Sequence, residues 1–186
     1  MTRLLLMALL AAMASAHAHE LPDNRVTLVL RDATHLSLTG LIDYPAALNQ
    51  ALAPQQSAQE FAVRCAAMTP AEFQQGLNRA HDKFKAGIRL TLPSGEALTF
   101  THWRWPEAAG VQARLRERAM RAVVGGPEAG HLHEPPLEIH AEASAAQPLA
   151  AVRTRLPREF GPVLLVSYRP HQTWLEPQGA AVLVGF

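Results

Sequence analysis

Two helix-start patterns stand close together and commit the middle of this chain to helix. Ser57-Ala58-Gln59-Glu60 and Thr69-Pro70-Ala71-Glu72 each place a hydroxyl three residues before a glutamate. The hydroxyl can accept from a free backbone N–H of the first turn, and the glutamate can reach back to the cap. Pro70 falls at the first helical position, where its missing N–H removes no bond. After the first pattern, Phe61, Cys65 and Met68 fall on one helical face. After the second, Phe73, Leu77, Ala80 and Phe84 repeat at helical spacing, and Gly87 is a fitting stop. A shorter helix is expected from Tyr44-Pro45 through Leu52, halted by Pro54. Another starts at Pro106, carries Val111, Leu115, Ala119 and Val123 on one side, and ends at Gly125-Gly126-Pro127. Its Arg114, Arg116, Arg118 and Arg121, with Glu107 and Glu117, read as a solvated face.

Strand patterns flank these helices. Arg25 to Leu30 and His35 to Ile42 alternate apolar and polar residues around a turn at Asp32-Ala33-Thr34, which reads as a hairpin. Ile88 to Leu92 and Ala97 to Trp105 read as a second pair around Pro93-Ser94-Gly95. Leu137 to Glu142 has a clean two-residue period: Leu137, Ile139 and Ala141 inward, Glu138, His140 and Glu142 outward. A strand is also expected within Ala151 to Leu156. Val163 to Tyr168 is almost continuously apolar and reads as a central strand buried on both faces. Gln172 to Leu175 and Ala180 to Phe186 finish the chain. The expected fold class is α+β, with β-sandwich-like antiparallel sheets and an inserted helical segment.

The first residues carry an export signal. Arg3 supplies a positive charge, Leu4 to Met13 is a short apolar run, and Ala14 and Ala16 are small residues placed for cleavage. The run is too short to cross a bilayer, and nothing later is long and apolar enough to do so. The expectation is a signal peptide over 1–16 and a single exported globular domain over 17–186, periplasmic or secreted and not an integral membrane protein. Cleavage after Ala18 is the alternative. The chain has 17 Lys and Arg against 16 Asp and Glu, and Arg3 is the one charge lost with the signal. The balanced remainder has no basic field for nucleic acid or an anionic membrane. Cys65 is the only cysteine, so no internal disulfide staples the fold.

Cleavage after Ala16 leaves His17-Ala18-His19 at a free amine. That amine, two backbone amides and the His19 imidazole can surround Cu(II) or Ni(II) in a square plane. With His17 binding through both amine and ring, the terminus resembles the histidine brace of periplasmic copper carriers and copper oxygenases. The resemblance covers the terminus alone, and it implies a copper site with an internal histidine as a further ligand. His131-Leu132-His133-Glu134 is a second constellation. Residues two apart in an extended segment point the same way, so His131 and His133 can share a metal, with His140 or Glu134 as third ligand. His35 and His81 read as exposed. His171, after the apolar run, is an internal partner candidate for His17. Cys65 and Met68 offer soft sulfur but share a face with Phe61, which reads as core.

No nucleophile elbow, phosphate-binding glycine loop or dinucleotide fingerprint is present. The leading expectation is a periplasmic metal-binding protein: a carrier, buffer or delivery factor for copper, with nickel or zinc as alternatives. Its ligands are His17, His19, His131, His133 and His140. A rival reading is an exported accessory module that contacts a membrane or periplasmic protein without metal. A copper-dependent oxidase is the third, its substrate surface drawn from Trp103, Trp105 or Trp174.

Overall fold

The computed structural model describes residues 24–124 and 135–170. The export segment, His17, His19, His131, His133, Glu134, His171, Trp174 and the expected strands over 172–175 and 180–186 lie outside the described residues.

The expected hairpin forms. Strand β1 (Arg25–Leu30) pairs antiparallel with β2 (His35–Ile42), Leu28 opposite Leu38. The turn is set by Asp32, whose Oδ1 accepts from the backbone N–H of Thr34 at 2.7 Å and of His35 at 2.8 Å. Those bonds hold the Asp32 carboxyl below its ordinary range. Next come helices α1 (Tyr44–Leu52), α2 (Ala58–Ala67) and α3 (Pro70–Gly87). Both capping boxes are complete: Ser57 with Glu60 and Thr69 with Glu72 bond reciprocally. The short strands β3 (Arg89–Thr91) and β4 (Ala97–Leu98) follow, then β5 (Phe100–Arg104) and helix α4 (Ala108–Val124). The described chain closes with β6 (Leu137–Ser144), β7 (Arg153–Arg155), a 3-10 turn (Arg158–Phe160) and β8 (Leu164–Tyr168).

Helices and strands are mixed as expected, in two sheets. The larger has the order β5-β6-β2-β1-β8, the smaller β4-β3-β7. Two strand expectations need correction. Val163 to Tyr168 is not central: among the described residues β8 is the edge of the larger sheet, parallel to β1, with Leu165 46 % and Tyr168 54 % exposed. An apolar run alone cannot tell an edge from a centre. The stretch Ala97 to Trp105 is not one strand. It breaks at Thr99, so that β4 pairs with β3 while β5 joins β6 in the other sheet.

One core gathers the inward residues of the larger sheet (Val26, Leu28, Leu36, Leu38, Ile42, Ile139) with the apolar helix faces. Phe73, Leu77, Ala80 and Phe84 are all buried, as are Phe61 and Cys65, and Val111, Leu115 and Ala119 of α4. Burial pushes the Cys65 thiol up, against the opposing effect of Arg64. The arginine face of α4 is only partly a solvated face. Arg118 reaches Asp43 at 2.9 Å, and Arg116 reaches the Ala66 carbonyl at 3.4 Å. A polar link invisible in the sequence joins α4 to α2: the buried Gln112 donates Nε2–H bonds to the carbonyls of Cys65 (3.1 Å) and Met68 (2.9 Å). These carbonyls lie at the C-terminal end of α2, where the Cys65 carbonyl otherwise accepts the long 3.3 Å bond from the Met68 N–H.

The core predicts its own test. Leu77 is 1 % exposed, so Leu77→Ala should cost about 2–5 kcal/mol in denaturant unfolding, through lost burial and the cavity left behind. A change near zero would place the face wrongly.

Two helix glycines should respond oppositely to alanine. At Gly87 an added Cβ stands 2.8 Å from the Pro157 Cβ, so Gly87→Ala should destabilise by about 1–3 kcal/mol. At Gly76 the new atom meets Leu52 Cδ1 at 3.8 Å and Arg79 Nη2 at 3.9 Å, which is ordinary contact. Gly76→Ala should therefore stabilise by about 0.5–1 kcal/mol, because alanine has less freedom to lose in a helix. The pair is measured side by side by thermal unfolding, and equal signs would contradict the packing around Gly87.

Candidate functional site

Strand alternation gives the larger sheet a second, polar face. In the register of β2 with β6, His35 lies opposite Ser144, Ser37 opposite Glu142 and Thr39 opposite His140. Opposed residues share a face, so these six stand on the side away from Leu36, Leu38, Ile139 and Ala143. On the next strand Thr101 lies opposite Glu142. Between Thr101 and Arg104 the register of β5 slips in a bulge, and there His102 adopts φ +50°. A left-handed conformation is uncommon for a residue with a Cβ, and bulges commonly re-aim a side chain. Here the irregularity brings the His102 ring to the same carboxylate as its neighbours.

Three imidazoles meet that carboxylate. His140 Nε2 lies 3.4 Å from Glu142 Oε1, His102 Nδ1 3.6 Å from Oε2 and His35 Nε2 3.9 Å from Oε2. Hydroxyls hold the rings. Ser144 Oγ is 3.2 Å from His35 Nδ1, Thr39 Oγ1 3.5 Å from His140 Nδ1 and Thr101 Oγ1 3.0 Å from His102 Nδ1. For His35 and His140 the hydroxyl takes Nδ1 and leaves Nε2 toward Glu142. The hydrogen bond from His140 holds the Glu142 carboxyl below its ordinary range, and charge on His35, His102 and His140 adds to this. The site is graded in exposure. The His140 side chain is 10 % exposed and that of His102 77 %.

The reverse face of β5 carries an aromatic stack. Trp103 lies against Trp105 with ring centres 5.1 Å apart and planes 7° apart. His81 of α3 stacks on Trp105 at 4.3 Å and 12°. The Tyr44 hydroxyl and His81 Nε2 share a hydrogen bond of 2.5 Å. Burial first, then the nearby Lys85 charge, lowers the His81 pKa to about 4, while Asp82 opposes the shift. Burial likewise raises the pKa of the Tyr44 phenol, so the pair is held as neutral phenol and neutral imidazole.

Of the expected ligands, only His140 lies within the described residues, and it faces away from the core as its alternation suggested. On that polar face it is nonetheless buried, at 8 % exposure. The structure brings it to His35, His102 and Glu142. The expectation that His35 and His81 stand exposed fails: His35 is half-buried in this cluster, and His81 is packed on Trp105. Sequence reasoning missed His35, His102 and Glu142 as a group. The shared outward parity of His140 and Glu142 was visible, but their meeting with β2 and β5 depends on pairing across distant segments. Among the described residues no group of three or more His, Cys, Asp and Glu side chains stands ready-made to hold a metal ion. No helix among them is long and apolar enough to cross a membrane. No family model matches the chain, nor does any curated protein or any solved structure, and its chemistry is read from its own residues.

The His81 environment carries a pH prediction. Between about pH 6.5 and about 4 the folded chain binds fewer protons at His81 than the unfolded chain does. The stability held by the neutral ring is therefore complete above about pH 6.5 and is lost as pH falls through about 4. Unfolding free energies measured across this window should fall with acid in the wild type. His81→Phe, which keeps a ring against Trp105 but cannot take a proton, should flatten that part of the slope.

Proposed function

We propose that this chain is an exported metal-binding protein that carries, buffers or delivers copper. One observation carries the reading: His35, His102 and His140 gather about Glu142, and for His35 and His140 a hydroxyl holds Nδ1 and leaves Nε2 toward the carboxylate. Metal-binding histidines are commonly oriented in this way, through the ring nitrogen that does not face the metal. Imidazole nitrogens with a carboxylate oxygen suit Cu(II), and also nickel or zinc. In this proposal the face supplies internal histidines, and the free amine with His17 and His19 supplies the terminal part of the ligand set. His131 and His133 form a second site or complete the first. Residues 1–16 act as the signal, and residues 17–186 form one exported domain, periplasmic or secreted.

Cu(II) titration of the mature protein tests this. The mature form itself is checked by mass, which should correspond to a chain beginning at His17. Four proteins are compared: correctly processed, extended by one alanine before His17, His35→Ala/His102→Ala/His140→Gln, and the two changes combined. The alanine extension removes His17 from the terminal amine and moves His19 out of chelate position. The internal triple substitution takes away the imidazoles around Glu142. Each change should weaken Cu(II) binding by about tenfold or more, and the combination further. Binding should also weaken as pH falls from 7 to 5, because amine and imidazoles must give up protons. Thermal unfolding of each variant confirms that it is folded. Equal Cu(II) affinity in all four proteins would overturn the proposal.

A further inference from the structure

Away from the polar face, α2 and α3 border a cleft of about 200 Å³. Its apolar lining includes Phe61, Met68, Phe73 and Leu77, and among the described residues it carries three cations, Arg64, Arg79 and Lys83, and no carboxylate. We propose that this cleft binds a small amphiphilic carboxylate, with its chain on the apolar floor and its head among the three cations.

Each part of the lining argues for that ligand class. The apolar floor excludes a bare inorganic anion as the best fit, since such an ion would leave it unused. Three cations with no carboxylate beside them among the described lining residues disfavour a metal ion, although Cys65 and Met68 both line the cleft. Burial moreover pushes the Cys65 thiol up, which disfavours the thiolate that a metal would take. The Arg79 guanidinium presents the planar fork that matches a carboxylate. Gly76 also lines the cleft, and a Cβ there would stand in ordinary contact with Arg79 Nη2 at 3.9 Å, which places the guanidinium next to the Gly76 position. Lys83 is anchored by one donor to the Ala51 carbonyl at 2.5 Å, which leaves two donors on the ammonium group. Arg64 lies over the Phe61 ring at 5.4 Å, so its charge stands at the edge of the apolar floor.

Octanoate is the probe. It is titrated into the mature protein by calorimetry, with amide NMR shifts followed in parallel, and octanol and inorganic phosphate serve as controls. The expected result is saturable octanoate binding with shifts confined to residues of α2, α3 and the end of α1, and weaker binding of both controls. Gly76→Leu, which fills the cleft with a good helix former, should abolish binding. Arg79→Glu with Lys83→Glu should weaken it by about tenfold or more. Thermal unfolding shows that both variants remain folded. Absence of saturable shifts at the cleft, or octanol binding as tightly as octanoate, would overturn the proposal. Phosphate binding as tightly as octanoate would do so too, as it would show a cation cluster with no use for the floor. Cu(II) binding should be unchanged in both variants, so failure here is distinguishable from failure of the copper reading.

Discussion

The register between β2 and β6 sets both halves of this molecule. Eight residues of each strand face one another from His35 with Ser144 to Ile42 with Leu137. Because side chains alternate, this one alignment sends Leu36, Leu38, Ile139 and Ala143 to the core and gathers His35, His140 and Glu142 on the other side. A slip of one residue would turn Glu142 and His140 inward and expel Ile139. Burial of the apolar set therefore fixes the chemistry of the polar set, and the histidine cluster is as well defined as the core behind it. The bulge in β5 adds what regular pairing could not, by turning His102 toward the same carboxylate.

The helical layer is fastened to the sheet by a few polar nodes. Asn24 accepts from the Asp43 backbone at 2.6 Å and donates to the Phe160 carbonyl at 2.5 Å. Its own carbonyl receives the Leu164 N–H at 2.9 Å. One side chain thus joins the entry to β1, the cap of α1 and the approach to β8. Asp43 caps α1 by accepting from Ala46 and also meets Arg118 of α4. Gln112 closes the far end of α2. Such partly or fully buried bonds fix how the helices sit, where apolar contact alone would tolerate several arrangements.

The helices were legible because their signals are local. A capping box spans four residues, and the Phe73 to Phe84 period needs no partner to be read. The hairpin was legible for the same reason, with Asp32 making the turn that its position announced. Neighbourhood across the sheet was not. Nothing in Val163 to Tyr168 tells that β8 lies at an edge and runs parallel to β1, and nothing in Ala97 to Trp105 marks Thr99 as the point where the strand changes sheets. The same gap hid the cluster. His140 and Glu142 shared a face on paper, but His35 and His102 join them only through pairing with β2 and β5. His81 misled for a related reason: its helical neighbours Asp82 and Lys83 are polar, while Trp105 and Tyr44 arrive from elsewhere in the chain.

The parallel pairing of β1 with β8 also bears on how the chain behaves before it is whole. Arg25 and Leu164 are register partners, so one edge of β1 stays open until nearly the entire described sequence has been made. The hairpin and the three helices that follow can form from local contacts well before then. Any shorter product, whether from arrested synthesis or from proteolysis ahead of β8, would present the unsatisfied backbone of Val26 to Val29 beside apolar side chains, a template for joining another copy. Incomplete chains of this protein are the ones that should aggregate, and β8 is the segment that acts as their cover.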